Sequence, residues 1–266
     1  MARPERTDAE KLRGRMRTVA LMSEFSRRVG AANPHQFAGW FDERTGASTQ
    51  AMGKWRFNFS GERPLSEQQL NWLSALPEFG DARRLYLAGQ TGLWRALWGE
   101  DVSELWAFCG HQVHPYAYDD PDALLRITDA VVVSGPGLRF DESLYNFECS
   151  MLLGRQYGQA LDLRHLTESI AFYRLHQAIN RIARVDGVGA YRCVRMCLDD
   201  GGVSDHLAGL GIREMLDQEL TRTEVARLES EPSYLAAVGV DDVDSYARDP
   251  FMFCSIEERM EALRIN

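Results

Sequence analysis

Seven side chains between Arg44 and Arg63 are of the types that recognise nucleic acid. Thr49, Gln50 and Lys54 can meet base edges: an amide pairs with adenine through two hydrogen bonds, and a cation suits guanine or phosphate. Arg44, Ser48, Arg56 and Arg63 can hold phosphates, by charge or by a hydroxyl donor. All seven fall in the run ERTGASTQAMGKWRFNFSGERP, which carries no acid between Arg44 and Arg56.

Other residues offer chemistry with less force. Cys109, His111 and His114 form C-x-H-x2-H, and a thiolate with two imidazoles is a zinc ligand set by type. No second pair of structural-zinc spacing lies nearby, and His165 or His176 could join only through the fold. Loop histidines beside a core Cys are the simpler reading. Cys193 and Cys197 stand four apart on one helix face, where core packing is expected of so readily buried a residue. The acids Asp199/Asp200 and Asp241/Asp242/Asp244 lack the terminal Glu and central Gly of a calcium loop, and read as solvated turns. Ser134-Gly-Pro-Gly137 lacks the Lys-Ser/Thr of a phosphate loop. No G-x-S-x-G or H-E-x-x-H signature occurs. No catalytic residue, metal site or cofactor is expected, and the protein is read as non-enzymatic.

Presenting the seven polar side chains requires a pair of short helices. Phe37, Trp40 and Phe41 share a face at i, i+3 and i+4, which predicts a helix to about Arg44, closed by Thr45 and Gly46. Ser48 is predicted to cap a second helix. Met52 and Trp55 would pin it to the first, leaving Thr49, Gln50, Gly53, Lys54 and Arg56 outward. Upstream, a helix is predicted from an Asp8 cap to Val29, with Leu12, Met16, Val19, Ala20 and Phe25 inward. Arg27 and Arg28 would then lie near a phosphate backbone. Pro34 bars helix in the residue before it. Downstream, Ser66 to Leu76 is predicted helical, with Leu70, Leu73 and Leu76 on one face. Asp81 to Leu97 follows, with a break near Thr91 between two glycines.

The stretch Gly46 to Trp55, GASTQAMGKW, resembles the turn and recognition helix of the Cro/C1-type (lambda-repressor-like) helix-turn-helix family. A Gly, a capping Ser, an apolar residue four later and a Trp three after that recur there, and Gly61-Glu-Arg-Pro64 echoes the family's exit. Asp42 stands where the family carries a small residue, and the gap from Trp55 to Gly61 is longer. The resemblance covers roughly residues 15–80. It implies a DNA-binding head in which Thr49, Gln50 and Lys54 read bases while Arg44, Ser48, Arg56 and Arg63 hold phosphates.

Charge agrees with such a head. Residues 1–64 hold 12 Lys and Arg against 7 Asp and Glu, a net of +5, while the remainder holds 18 against 32, a net of −14. A positive segment gains affinity for phosphate by counterion release, and an acidic one is repelled. Of the 30 basic residues 28 are Arg, a bias expected of a GC-rich, bacterial genome. Five unpaired Cys argue for a reducing compartment. The N-terminus, MARPERTDAEKLRGRMR, lacks the apolar segment of a signal peptide, so a cytoplasmic protein without a membrane span is expected.

Beyond residue 100 the pattern is mostly helical. A strand at Val131 to Ser134 is the one β signal, and helices are expected at Leu144 to Gln159, Leu166 to Val185, Tyr191 to Leu198, Ser204 to Leu220, Thr223 to Glu229 and Ser255 to Leu263. The expected fold is mainly α: a helix-turn-helix domain over 8–80 and an acidic helical dimerisation or partner-binding domain over 81–266, with at most a short β-hairpin. The expected function is sequence-specific binding of double-stranded DNA, as a homodimeric transcriptional regulator. The alternative is an accessory subunit of a larger nucleic-acid-binding complex, using the basic head for phosphate or protein contacts. A protein partner for the acidic domain fits either reading.

Overall fold

The structure is a computed structural model that describes residues 6–109, 136–183 and 187–263. It is mainly helical, and no strand occurs among the described residues. The expected strand at Val131 to Ser134, and His111 and His114 of the Cys/His cluster, lie outside them. Among the described residues no helix is long and apolar enough to cross a membrane. The chain divides into two compact units, residues 1–90 with Asp205–Leu216, and 91–204 with 217–266. The first therefore runs past Gly80 and takes in a segment from far down the chain.

The N-terminal unit opens with α1, Asp8–Arg28. Its cap is Thr7 rather than Asp8, because Thr7 and Glu10 satisfy each other's backbone N–H groups reciprocally. Helix α2, Pro34–Thr45, is capped by Asn33, with Pro34 in the first turn where its missing N–H costs nothing. It ends at Gly46, whose φ of 69° is left-handed and cheap only for glycine. After the four-residue α3, Arg56–Phe59, comes α4, Glu67–Ser74, opened by a second reciprocal box between Ser66 and Gln69. Helix α5, Ala82–Ala88, closes the series.

Aromatic rings fill the centre of this unit. Phe25 stacks on Phe79 with centroids 4.0 Å apart, and Trp55 meets the edges of Phe37 and Phe41. Phe25, Phe37, Phe79 and Trp55 are wholly buried. Each such side chain stabilises by about 1.5–3 kcal/mol relative to exposure, which fixes the inner faces of α1 and α2.

The second unit holds α6, Leu93–Trp98; α7, Val102–Phe108; α8, Pro136–Gln156; α9, Leu163–Ala183; and α10, Val188–Leu198. Helix α9 packs against the other four. The expected break at Thr91 is present: Thr91 has φ 55°, and its hydroxyl lies 2.6 Å from that of Thr167. The expected helices at Ser204 to Leu220 and Thr223 to Glu229 are differently divided. Helix α11, Gly201–Gly209, stops before Gly211, and α12, Arg213–Ser230, then runs on unbroken. Thr223 sits inside it, its hydroxyl donating to the Glu219 carbonyl one turn back, 2.7 Å away. Helices α13, Pro232–Val238, α14, Val243–Arg248, and α15, Ile256–Ala262, complete the chain.

Two buried carboxylates of the second unit are held by clusters of donors. Glu148 accepts from Arg192 at 3.0 Å and Arg259 at 2.7 Å. Glu224 accepts from the hydroxyls of Tyr173 and Tyr234. Cys193 and Cys197 are buried in the core, as their spacing predicts. Both acid clusters serve as caps: Asp200 accepts from the N–H groups of Gly202 and Val203, and Asp242 from that of Ser245.

Candidate nucleic-acid interface

The expected recognition helix does not form. Residues 49–55 follow one another in turns, and regular helix resumes only at Arg56. Ser48 is exposed, and its hydroxyl makes no hydrogen bond among the described residues, so it caps nothing. Met52 does not pin the segment to α2 either, being 68% exposed.

Two local causes account for this. The Asp42 carboxylate accepts from the Thr49 N–H at 2.8 Å, the Thr49 hydroxyl at 2.6 Å and the Gln50 N–H at 2.8 Å. A side chain from α2 thus takes the capping role assigned to Ser48, one residue later. Gly53 then adopts φ 57°, which interrupts any right-handed helix. Trp55, the residue expected to pack inward, does so completely, and its indole N–H donates to the Thr49 hydroxyl at 2.9 Å. Burial works to raise the Asp42 pKa. Its three donors outweigh that, and it lies below the usual carboxylate range.

The seven predicted side chains therefore part company. Thr49 is 1% exposed and its hydroxyl is fully engaged, so it cannot meet a base edge. Gln50 is half-buried, with its amide nitrogen donating to the His35 carbonyl at 3.2 Å. Lys54 stands 4.0 Å from the centre of the Trp72 ring on α4, a contact worth about 0.5–1 kcal/mol at an exposed site. Arg44 lies over Trp40 and pairs with Glu78 at 3.2 Å. Arg63 lies over Phe57. Arg56 and Arg63 are exposed, and neither has an acidic partner among the described residues.

Arg27 and Arg28 are not free for phosphate as their position on α1 suggests. Both bind Glu24, and Arg28 also binds Asp81 at 2.7 Å. Arg15 is exposed, has no acidic partner among the described residues, and passes directly beside Gly61, two residues from Arg63. The signal was present in Gly61, whose missing side chain lets α1 and the exit loop approach. Helical spacing alone ranks Arg15 no higher than its neighbours.

No family model, curated protein or solved structure matches the chain. Among the described residues no group of His, Cys, Asp and Glu is arranged to hold a metal. Cys109 is buried beside the Leu105 carbonyl, and His165 pairs with Asp162 at 2.8 Å.

Proposed function

We propose that this is a DNA-binding protein whose N-terminal unit grips the phosphate backbone with Arg15, Arg56 and Arg63. The observation that carries this reading is that these three guanidiniums are exposed and lack acidic partners among the described residues, on a segment of positive net charge. Neighbouring arginines such as Arg28 are spent in ion pairs. Arginine binds phosphate through planar paired donors, so three on one unit make a backbone grip.

With Thr49 buried, contact with bases falls to Gln50 and Lys54, both partly exposed. Phosphate contact therefore dominates, which favours an accessory subunit of a larger nucleic-acid complex over a regulator with its own operator. The regulator reading, with a homodimer on paired half-sites, is favoured by one feature: Gln50 keeps an unpartnered amide oxygen among the described residues.

The test is selection of the full-length protein on a random duplex pool at moderate salt. Retention that falls steeply with salt, without sequence enrichment, is expected of the phosphate grip. Enrichment of a palindrome with half-sites about one helical turn apart would establish the regulator. A protein that retains no duplex at low salt does not bind DNA in this way.

A further inference from the structure

We infer that a concavity on the N-terminal unit receives one unstacked nucleobase together with its adjoining phosphate. The inference rests on the DNA-binding reading above and specifies what that surface holds. The concavity encloses about 420 Å³, inside the range of about 300–1,000 Å³ usual for small-ligand sites. Ala38 and Trp55, both buried, line it at depth, while Asn33, His35, Gln50 and Arg56 line it nearer the solvent.

The hydrogen-bonding capacity left on Asn33, Gln50 and Arg56, beside the exposed His35 ring, selects the ligand. Gln50 turns its amide nitrogen to the His35 carbonyl, which can only accept, so its Oε1 is left as an acceptor without a partner among the described residues. Asn33 spends its Oδ1 on the Gln36 N–H, 2.9 Å away, leaving its amide NH₂ to donate. Arg56 has an uncommitted guanidinium among the described residues, and the His35 ring is exposed, with its Nε2 3.2 Å from the Gln50 amide nitrogen. An acceptor, an amide donor, an aromatic ring and a cation around an apolar lining match a heteroaromatic ring that carries donor and acceptor edges beside a negative charge. A nucleotide has these features. An acidic side chain of a partner protein would satisfy Arg56 but offer no donor to Gln50. A purely apolar ligand would leave the Gln50 Oε1 and the Asn33 amide NH₂ unpaired, which is costly. A base within a duplex has its faces stacked and its pairing edge in use, so the occupant is an unpaired base of a strand or a free nucleotide.

Fluorescence anisotropy of the full-length protein tests this with three labelled probes at one salt concentration: a single strand, the same strand in a duplex, and an abasic strand of equal charge. Binding of the single strand about tenfold tighter than the other two is expected, and Gln50→Ala and His35→Ala should each erase most of that preference. Displacement of the strand by free adenosine monophosphate, where inorganic phosphate fails, would show that the isolated nucleotide suffices. Displacement only by unlabelled strand would show that the base is taken from a chain. Equal binding of all three probes, or equal displacement by inorganic phosphate, overturns the base site and leaves the phosphate grip standing. No binding of any probe removes both. Should the variants not fold, as judged by circular dichroism, the abasic comparison decides by itself.

Discussion

At Asp42 one carboxylate accepts three hydrogen bonds from residues seven and eight positions downstream. Hydrogen bonds to a charged group are the stronger kind, and an orphaned donor beneath the surface keeps its full desolvation cost. Asp42→Ala should therefore lower stability by about 2 kcal/mol, read as a reduced urea midpoint at unchanged slope. Its loss also removes the acceptor for the Thr49 hydroxyl, so Trp55 fluorescence should shift in the folded protein. A variant as stable as the parent would mean that the carboxylate does not organise the 46–55 turn. The acid at this position is visible in the sequence. Its acceptor role is not, because only the return of the chain past Gly46 brings Thr49 back to it.

Elements with local start and stop chemistry are legible in advance. Helices α1, α2 and α4 lie within a few residues of their predicted bounds, because each has a capping side chain and an apolar face that a single core absorbs. The segment after Gly46 carries the same kinds of signal, Ser48 and then Met52 and Trp55, yet does not become a helix there. Trp55 is held by Phe37, Phe41 and Thr49 together, and Gly53 supplies the left-handed residue that lets the chain reach that site. Gly53→Ala should cost about 1–2 kcal/mol, since a side chain disfavours the left-handed conformation by that amount. Thermal unfolding with far-ultraviolet circular dichroism checks this. A gain in helical signal without loss of stability would show that residues 48–56 can instead form the continuous helix that their spacing predicts.

Over the whole molecule, charge sets the response to acid. Burial works to raise the pKa values of Glu24 and Glu148, but Arg28 and Arg27 outweigh it at the first, as Arg259 and Arg192 do at the second. Asp81 is lowered foremost by its bond from Arg28. With Asp42, these groups have folded-state pKa values below their unfolded ones. Each contributes stability that is present above the unfolded carboxylate pKa of about 4 and is lost as pH falls through the folded value. Glu224 and Asp199 run the other way, raised chiefly by burial, so their contribution is lost as pH rises through their folded values. The lowered groups predominate here, and the urea midpoint should fall between pH 5 and pH 3. A midpoint that holds or rises over that interval would contradict the ion-pair assignments.

The sequence by itself determined the helical class, the outer helices of the N-terminal unit, the break at Thr91 and the positive charge of the first 64 residues. Each of these depends on neighbours within about one turn of chain, or on composition alone. Tertiary structure decided which cations remain unpaired, that Thr49 is buried, and that residues 205–216 belong with the first unit. Ion pairs such as Arg28 with Asp81 and Arg44 with Glu78 join residues more than thirty positions apart. Spacing along the chain carries no record of such partners, because they meet only when aromatic burial has drawn the helices together.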